Sequence, residues 1–81
     1  MNEYVIESRK IQSVPEQIGD ALRGIMQEKH LSQAELSKIL RRTPARMSQI
    51  LNGKKGSNME KLLPFLDELG YEIVIRRKNH W

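Results

Sequence analysis

Apolar positions recur at helical spacing through most of this chain and switch to strict alternation only near its end. Ile18, Leu22, Ile25 and Met26 fall three and four residues apart, and the pattern runs down to about Lys29. Leu36, Ile39 and Leu40 form a second short group, and Met47, Ile50 and Leu51 a third. A fourth stripe contains Met59, Leu62, Leu63, Leu66 and Leu69, with Phe65 beside it. From Tyr71 to Lys78 the period becomes two, placing Tyr71, Ile73 and Ile75 on one face and Glu72, Val74 and Arg76 on the other. This predicts a strand, which must pair with the Tyr4 to Ile6 segment or with the same strand of a second subunit, because a lone strand cannot satisfy its own backbone. Residues 1–12 read as a short strand, an arm exchanged in a dimer or a flexible tail, and the sequence leaves these alternatives open.

Capping residues punctuate the helical stretches. Ser13 with Glu16 three residues on forms a capping box, with Pro15 in the first turn, and Ser32 with Glu35 repeats the signature. Thr43 caps a helix whose first position is Pro44, and Asn52-Gly53 stops it. Ser57 and Glu60 suggest another capping box, and Gly70 sits where a helix ends. Leu31, after His30, is expected to plug a junction into the core. Gly19 and Gly24 each cost the first helix about 1 kcal/mol relative to alanine, so either packing holds this helix together or a neighbouring helix approaches closely. Pro64 predicts a bend, or a later helix start, in the last helix.

The 81 residues divide into an arm at 1–12, a helical domain at 13–70 and a dimerisation strand with a tail at 71–81. One domain of this size has only just enough core, which favours a dimer. The chain has no cysteine, and its two histidines, His30 and His80, are far apart, so no metal or cofactor is expected. The N-terminus has no signal-peptide core and no apolar run suits a membrane, which suits a cytoplasmic protein. An enzyme is a poor fit, since Gly53-Lys54-Lys55-Gly56 lacks P-loop spacing and there is no histidine-carboxylate grouping.

Charge sharpens the picture. The net charge is +4, and no acidic residue lies between Glu35 and Glu60, whereas Lys38, Arg41, Arg42, Arg46, Lys54 and Lys55 all do. The positive field is therefore concentrated on the segment holding the second and third apolar groups, which reads as helix, short turn, helix. That is the helix-turn-helix arrangement, in which the second helix enters a DNA major groove and cations meet phosphates.

With LSQAELSKIL, a short turn, Met47, Ile50 and Asn52-Gly53-Lys54 in place, the chain from about Pro15 to Leu69 resembles the Cro/C1 type of helix-turn-helix domain, or XRE family. LLPFLDELGYEIVIRRK resembles the end of HipB-like antitoxin regulators. The resemblance implies a mostly α fold of four to five helices with a C-terminal β-strand, which in that group pairs across the dimer axis. Arg41 and Arg42 depart from it: the family usually has glycine in a left-handed turn and then a buried apolar residue. The turn is thus expected to add backbone contacts or change shape, with Arg41 bearing about 1 kcal/mol of strain and Arg42 either pointing outward over a buried stem or redirecting the turn.

By the same resemblance, Gln33 and Asn52 match positions that grip phosphate, while Pro44, Ala45 and Gln49 match positions facing base edges, flanked by Arg46 and Ser48. Gln49 could offer a bidentate pair to adenine, Arg46 to guanine, and Ala45 could touch a thymine methyl. Arg41, Arg42, Thr43, Lys54 and Lys55 complete the expected DNA-binding set, and Tyr71, Ile73, Val74 and Ile75 the dimerisation set. The implied partners are a double-stranded DNA operator and a second copy of the chain. The leading expectation is a nucleoid-associated bacterial repressor, the antitoxin of a toxin-antitoxin operon. Its toxin would be a HipA-like kinase or another protein, contacted through Trp81. The alternative is a phage or prophage regulator without a toxin.

Overall fold

The computed structural model describes residues 3–8, 11–54 and 58–78. Among them are four helices, α1 (Val14–Lys29), α2 (Gln33–Ile39), α3 (Pro44–Leu51) and α4 (Met59–Glu68). The local signals account for most of their boundaries. The Ser13 hydroxyl accepts from the Glu16 amide while the Glu16 carboxylate accepts from the Ser13 amide, and Ser32 and Glu35 exchange the same pair of bonds. Thr43 Oγ1 accepts from the Arg46 amide ahead of Pro44. The cap of α4 is Asn58, whose Oδ1 accepts from Glu60 and Lys61; Ser57, the expected cap, lies outside the described residues. Helix α4 continues through Pro64 to Glu68.

All four helices close in the same way. A residue with positive φ follows each one, at His30, Arg41, Gly53 and Gly70. At each end the two amides reach back to carbonyls of the last turn: Leu31 to Met26 (2.9 Å), Arg42 to Ser37 (2.9 Å), Lys54 to Gln49 (2.9 Å) and Tyr71 to Leu66 (2.9 Å). These are Schellman closures, which satisfy the orphan carbonyls of a helix end. At Arg41, φ is 53°, so the turn keeps the left-handed form that glycine usually supplies and is not reshaped.

The core is built from Ile18, Leu22 and Ile25 of α1, Leu36 and Leu40 of the α2 segment, Met47, Ile50 and Leu51 of α3, and Leu62, Leu66 and Leu69 of the α4 segment. Helices α1 and α2 both pack on α3. Three apolar positions differ from the periodicity. Ile39 and Met26 only flank the core, and Leu63 is 43% exposed because it lies about 100° round the helix from Leu62. Leu31 packs against the core as its spacing predicts.

Both glycines of α1 mark close approaches. A Cβ on Gly19 would lie 2.6 Å from the Leu51 carbonyl oxygen and 2.8 Å from that of Ile50, so α1 meets the backbone at the end of α3. A Cβ on Gly24 would strike the Tyr4 ring. The arm is thereby seated on α1, and buried Gln17 holds it further: its side chain accepts from the Glu7 amide (2.7 Å) and donates to the Glu7 carbonyl (2.7 Å).

No strand forms among the described residues, which corrects the strand expected at 71–78. The segment leaves the Gly70 closure without strand geometry and meets the arm through side chains. Tyr71 and Tyr4 stack with ring centroids 6.2 Å apart, and Arg76 lies 3.6 Å from Glu3. These are side-chain contacts without a backbone ladder, so the alternation in the sequence is present while its pairing partner is not.

Candidate nucleic-acid interface

Helix α3 divides cleanly into two faces. Met47, Ile50 and Leu51 are buried, while Ala45, Ser48, Gln49 and Asn52, spaced at i, i+3, i+4 and i+7, share the opposite side. Ala45, Gln49 and Asn52 are exposed and Ser48 is half-buried. Pro44 is exposed at the helix start and Arg46 is half-buried on the flank. This places short, neutral hydrogen-bonding side chains along the centre of the face, with Ala45 as the one small apolar contact.

Cations flank α3 along the chain. Lys38, Arg41 and Lys54 are exposed, and Arg42 and Arg46 are half-buried. Lys55 and Trp81 lie outside the described residues. The Arg42 guanidinium, expected to reach outward, instead turns back: Nη1 donates to the Leu40 carbonyl (3.1 Å) and approaches that of Arg41 (3.5 Å). It complements the negative end of α2 from within the turn. Arg41 stands over Phe65, with Cζ 5.3 Å from the ring centroid. The turn's two arginines therefore brace the fold as well as adding charge.

At the head of α2, Gln33 is exposed in the first helical position, and its carbonyl accepts from the buried Ser37 hydroxyl (2.8 Å). Glu35, the last acidic residue before the basic stretch, is held as a capping anion. The Ser32 amide and hydroxyl bonds hold its carboxyl below the ordinary glutamate value, so its charge is fixed at the N-terminus of α2. Thr43 is exposed, with its hydroxyl committed to the cap of α3.

Arg23, on α1, was not marked by any local pattern, since its partners lie 28 and 29 residues away. Its Nε donates to the Leu51 carbonyl (3.2 Å) and its Nη2 to Asn52 Oδ1 (2.7 Å). The contact sits beside a polar cleft of about 220 Å³ between α1 and the end of α3, where Gln12 also donates to Asp20 (2.8 Å). Among the described residues no cluster of potential metal ligands occurs, and no helix is long and apolar enough to cross a membrane.

The residues expected to form a dimer follow the end of α4. Tyr71 is half-buried, and its hydroxyl is buried without a hydrogen-bond partner. Ile73, Val74 and Ile75 are 48%, 65% and 98% exposed.

A family model described as a helix-turn-helix domain matches residues 10–78, which covers all four helices and the segment after them. No curated protein and no solved structure matches the chain.

Proposed function

The chain belongs to the helix-turn-helix domain family, and from that premise we propose that it is a sequence-specific, double-stranded-DNA-binding transcriptional regulator acting as a repressor. The observation that carries this reading is the α3 face of Ala45, Ser48, Gln49 and Asn52, set against a buried face, in a stretch of the chain that holds Lys38, Arg41, Arg42, Arg46 and Lys54 with no acidic residue from 36 to 59. In this reading α3 enters the major groove, and Gln49 reads a base edge. Gln33, Asn52, Lys54 and Lys55 hold the flanking phosphates, and Thr43 keeps the start of α3 in place. No step of the reading needs a catalytic group, metal or cofactor.

A two-fold dimer supplies the second reading helix for a palindromic site. The exposed Ile73, Val74 and Ile75, alternating on a segment that forms no strand among the described residues, support pairing with the same segment of a second copy. Within the cytoplasm of a bacterium, this regulator would serve as the antitoxin of a toxin-antitoxin operon and repress its own promoter, with Trp81 as an anchor for the toxin.

The test is selection of duplexes from a random pool by the full chain, followed by footprinting on the enriched sequence. A two-fold-symmetric protected site with half-sites about one helical turn apart is expected. Uniform weak binding to all duplexes would remove the sequence-reading role. Co-expression with the reading frame beside its gene tests the antitoxin role: a stable complex and rescued growth are expected, and a frame without toxicity or binding would leave a prophage regulator.

A further inference from the structure

Resting on the DNA-binding reading above, we propose that Arg23 is a positioning residue for DNA backbone contact: it locks the Asn52 side-chain amide so that the NH₂ group, and not the carbonyl, faces a phosphate. The argument begins with donor chemistry. A guanidinium has only donors, so the Asn52 atom 2.7 Å from Arg23 Nη2 must be the oxygen, whichever way the amide is drawn. A phosphate has only acceptors and needs the nitrogen. Occupying the oxygen from behind therefore leaves the donor side for the ligand.

The nitrogen has no competing strong bond among the described residues. Its nearest acceptor is the Ser48 hydroxyl at 3.4 Å, near the limit of a hydrogen bond, on the same exposed face of α3. The second donor of Arg23 fixes the geometry further, since Nε binds the Leu51 carbonyl (3.2 Å), an orphan acceptor at the end of α3. Two bonds from one planar fork hold backbone and side chain of adjacent residues in a single register.

The fold brings the fork into place through one face of α1. Glu16, Gly19 and Arg23 lie at i, i+3 and i+7, and all three meet the end of α3: Glu16 beside Gly53, Gly19 against the Ile50 and Leu51 carbonyls, and Arg23 on Leu51 and Asn52. The absence of a Cβ at Gly19 lets α1 approach the end of α3 closely on the face that carries Arg23. Lysine at position 23 would keep the charge and lose the fork.

The test is a double-mutant cycle in the full chain with Arg23→Lys and Asn52→Ala, binding measured by anisotropy at several salt concentrations. Two DNA probes are used, a duplex enriched by the wild-type protein and a random-sequence duplex. Asn52→Ala is expected to weaken binding about tenfold in the wild-type background and under about twofold in the Arg23→Lys background. Arg23→Lys should leave the salt slope unchanged, because the charge is kept. Equal cost of Asn52→Ala in both backgrounds overturns the positioning role while the DNA reading stands. A wild-type chain that binds neither duplex overturns both.

Folding is checked by circular dichroism. Independently of DNA and of any variant, the Asn52 side-chain NH₂ signals of the free wild-type protein should show a single restrained conformer. Rotationally averaged signals there would also overturn the proposal.

Discussion

The Arg41 guanidinium lies over the Phe65 ring, 5.3 Å from its centroid, and so joins the turn between α2 and α3 to the face of α4. The same residue carries φ of 53°, a backbone state that disfavours any side chain with a Cβ. One residue thus combines a local penalty with a tertiary contact of similar size. Separating the two needs two substitutions: Arg41→Ala should destabilise by about 0.5–1 kcal/mol, since it keeps the strain and loses the cation–π contact. Arg41→Gly should be about 1 kcal/mol more stable than Arg41→Ala, by release of the left-handed strain. Urea denaturation of the pair measures the difference, and equal stabilities would show that the turn is unstrained.

Gly19 and Gly24 predict different responses to alanine. In an exposed helix the change would stabilise by about 1 kcal/mol. At Gly19 the new methyl meets the Leu51 and Ile50 carbonyl oxygens at 2.6 and 2.8 Å, both backbone atoms, so Gly19→Ala should destabilise by about 1–3 kcal/mol. At Gly24 the obstacle is the Tyr4 side chain on the arm, which can move, so Gly24→Ala should be close to neutral overall while releasing the arm. Thermal denaturation gives the first comparison, and the fluorescence of Tyr4 and Tyr71 reports the second.

On the proposed reading surface, Gln49→Ala should weaken binding to the enriched duplex by about 1–3 kcal/mol and relax preference at one base pair. Lys54→Ala should weaken all duplexes alike and lower the magnitude of the salt slope by about one. Anisotropy titrations on enriched and random duplexes separate these behaviours; a Gln49→Ala loss of the same size on both would contradict base reading.

Glu35 sets a pH dependence whose sign follows from its cap. Its carboxyl in the folded chain lies below the ordinary value, chiefly through the Ser32 amide bond. The unfolded chain therefore binds the proton more readily, and the stabilisation is fully present above the unfolded value and is lost as pH falls through the folded one. Glu35→Gln, which keeps an acceptor without a titrating charge, should flatten that part of the acid limb. Carboxyl NMR titration of Glu35 and acid unfolding of both proteins check the prediction.

If the segment 71–78 pairs between two copies, the melting temperature of the wild-type chain should rise with protein concentration. Ile75→Lys, at a site 98% exposed in the single chain, should remove that dependence without lowering monomer stability. A concentration-independent wild type in sedimentation and melting would exclude this dimer.

Local chemistry was legible in the sequence wherever the cause lay within one turn of helix. Ser13 with Glu16, Ser32 with Glu35 and Thr43 with Pro44 start their helices as read, and Gly53 and Gly70 end theirs. The two-faced α3 followed from its spacing alone. Asn58 displaced the expected Ser57 because two adjacent polar residues both suit a cap and only the helix entrance distinguishes them. Arg42 turned inward because the open carbonyls of α2 lie within reach of its guanidinium, a competitor that a family pattern does not display. Arg23 and Gln17 escaped notice for the same reason: each acts on backbone brought close only by tertiary packing. The strand failed because alternation specifies which side chains face together but supplies no partner.

The docking of α1 on the end of α3 has a consequence for how the proposed reading helix behaves in the free chain. Helix ends ordinarily fray first, but here the last carbonyl of α3 is held by Arg23 and the approach is sealed by Gly19. The C-terminal turn of α3 is then expected to exchange its amides together with the lifting of α1, as one cooperative unit. A reading helix preorganised in this way loses little conformational entropy on entering a groove, and more of each contact formed there is retained as affinity.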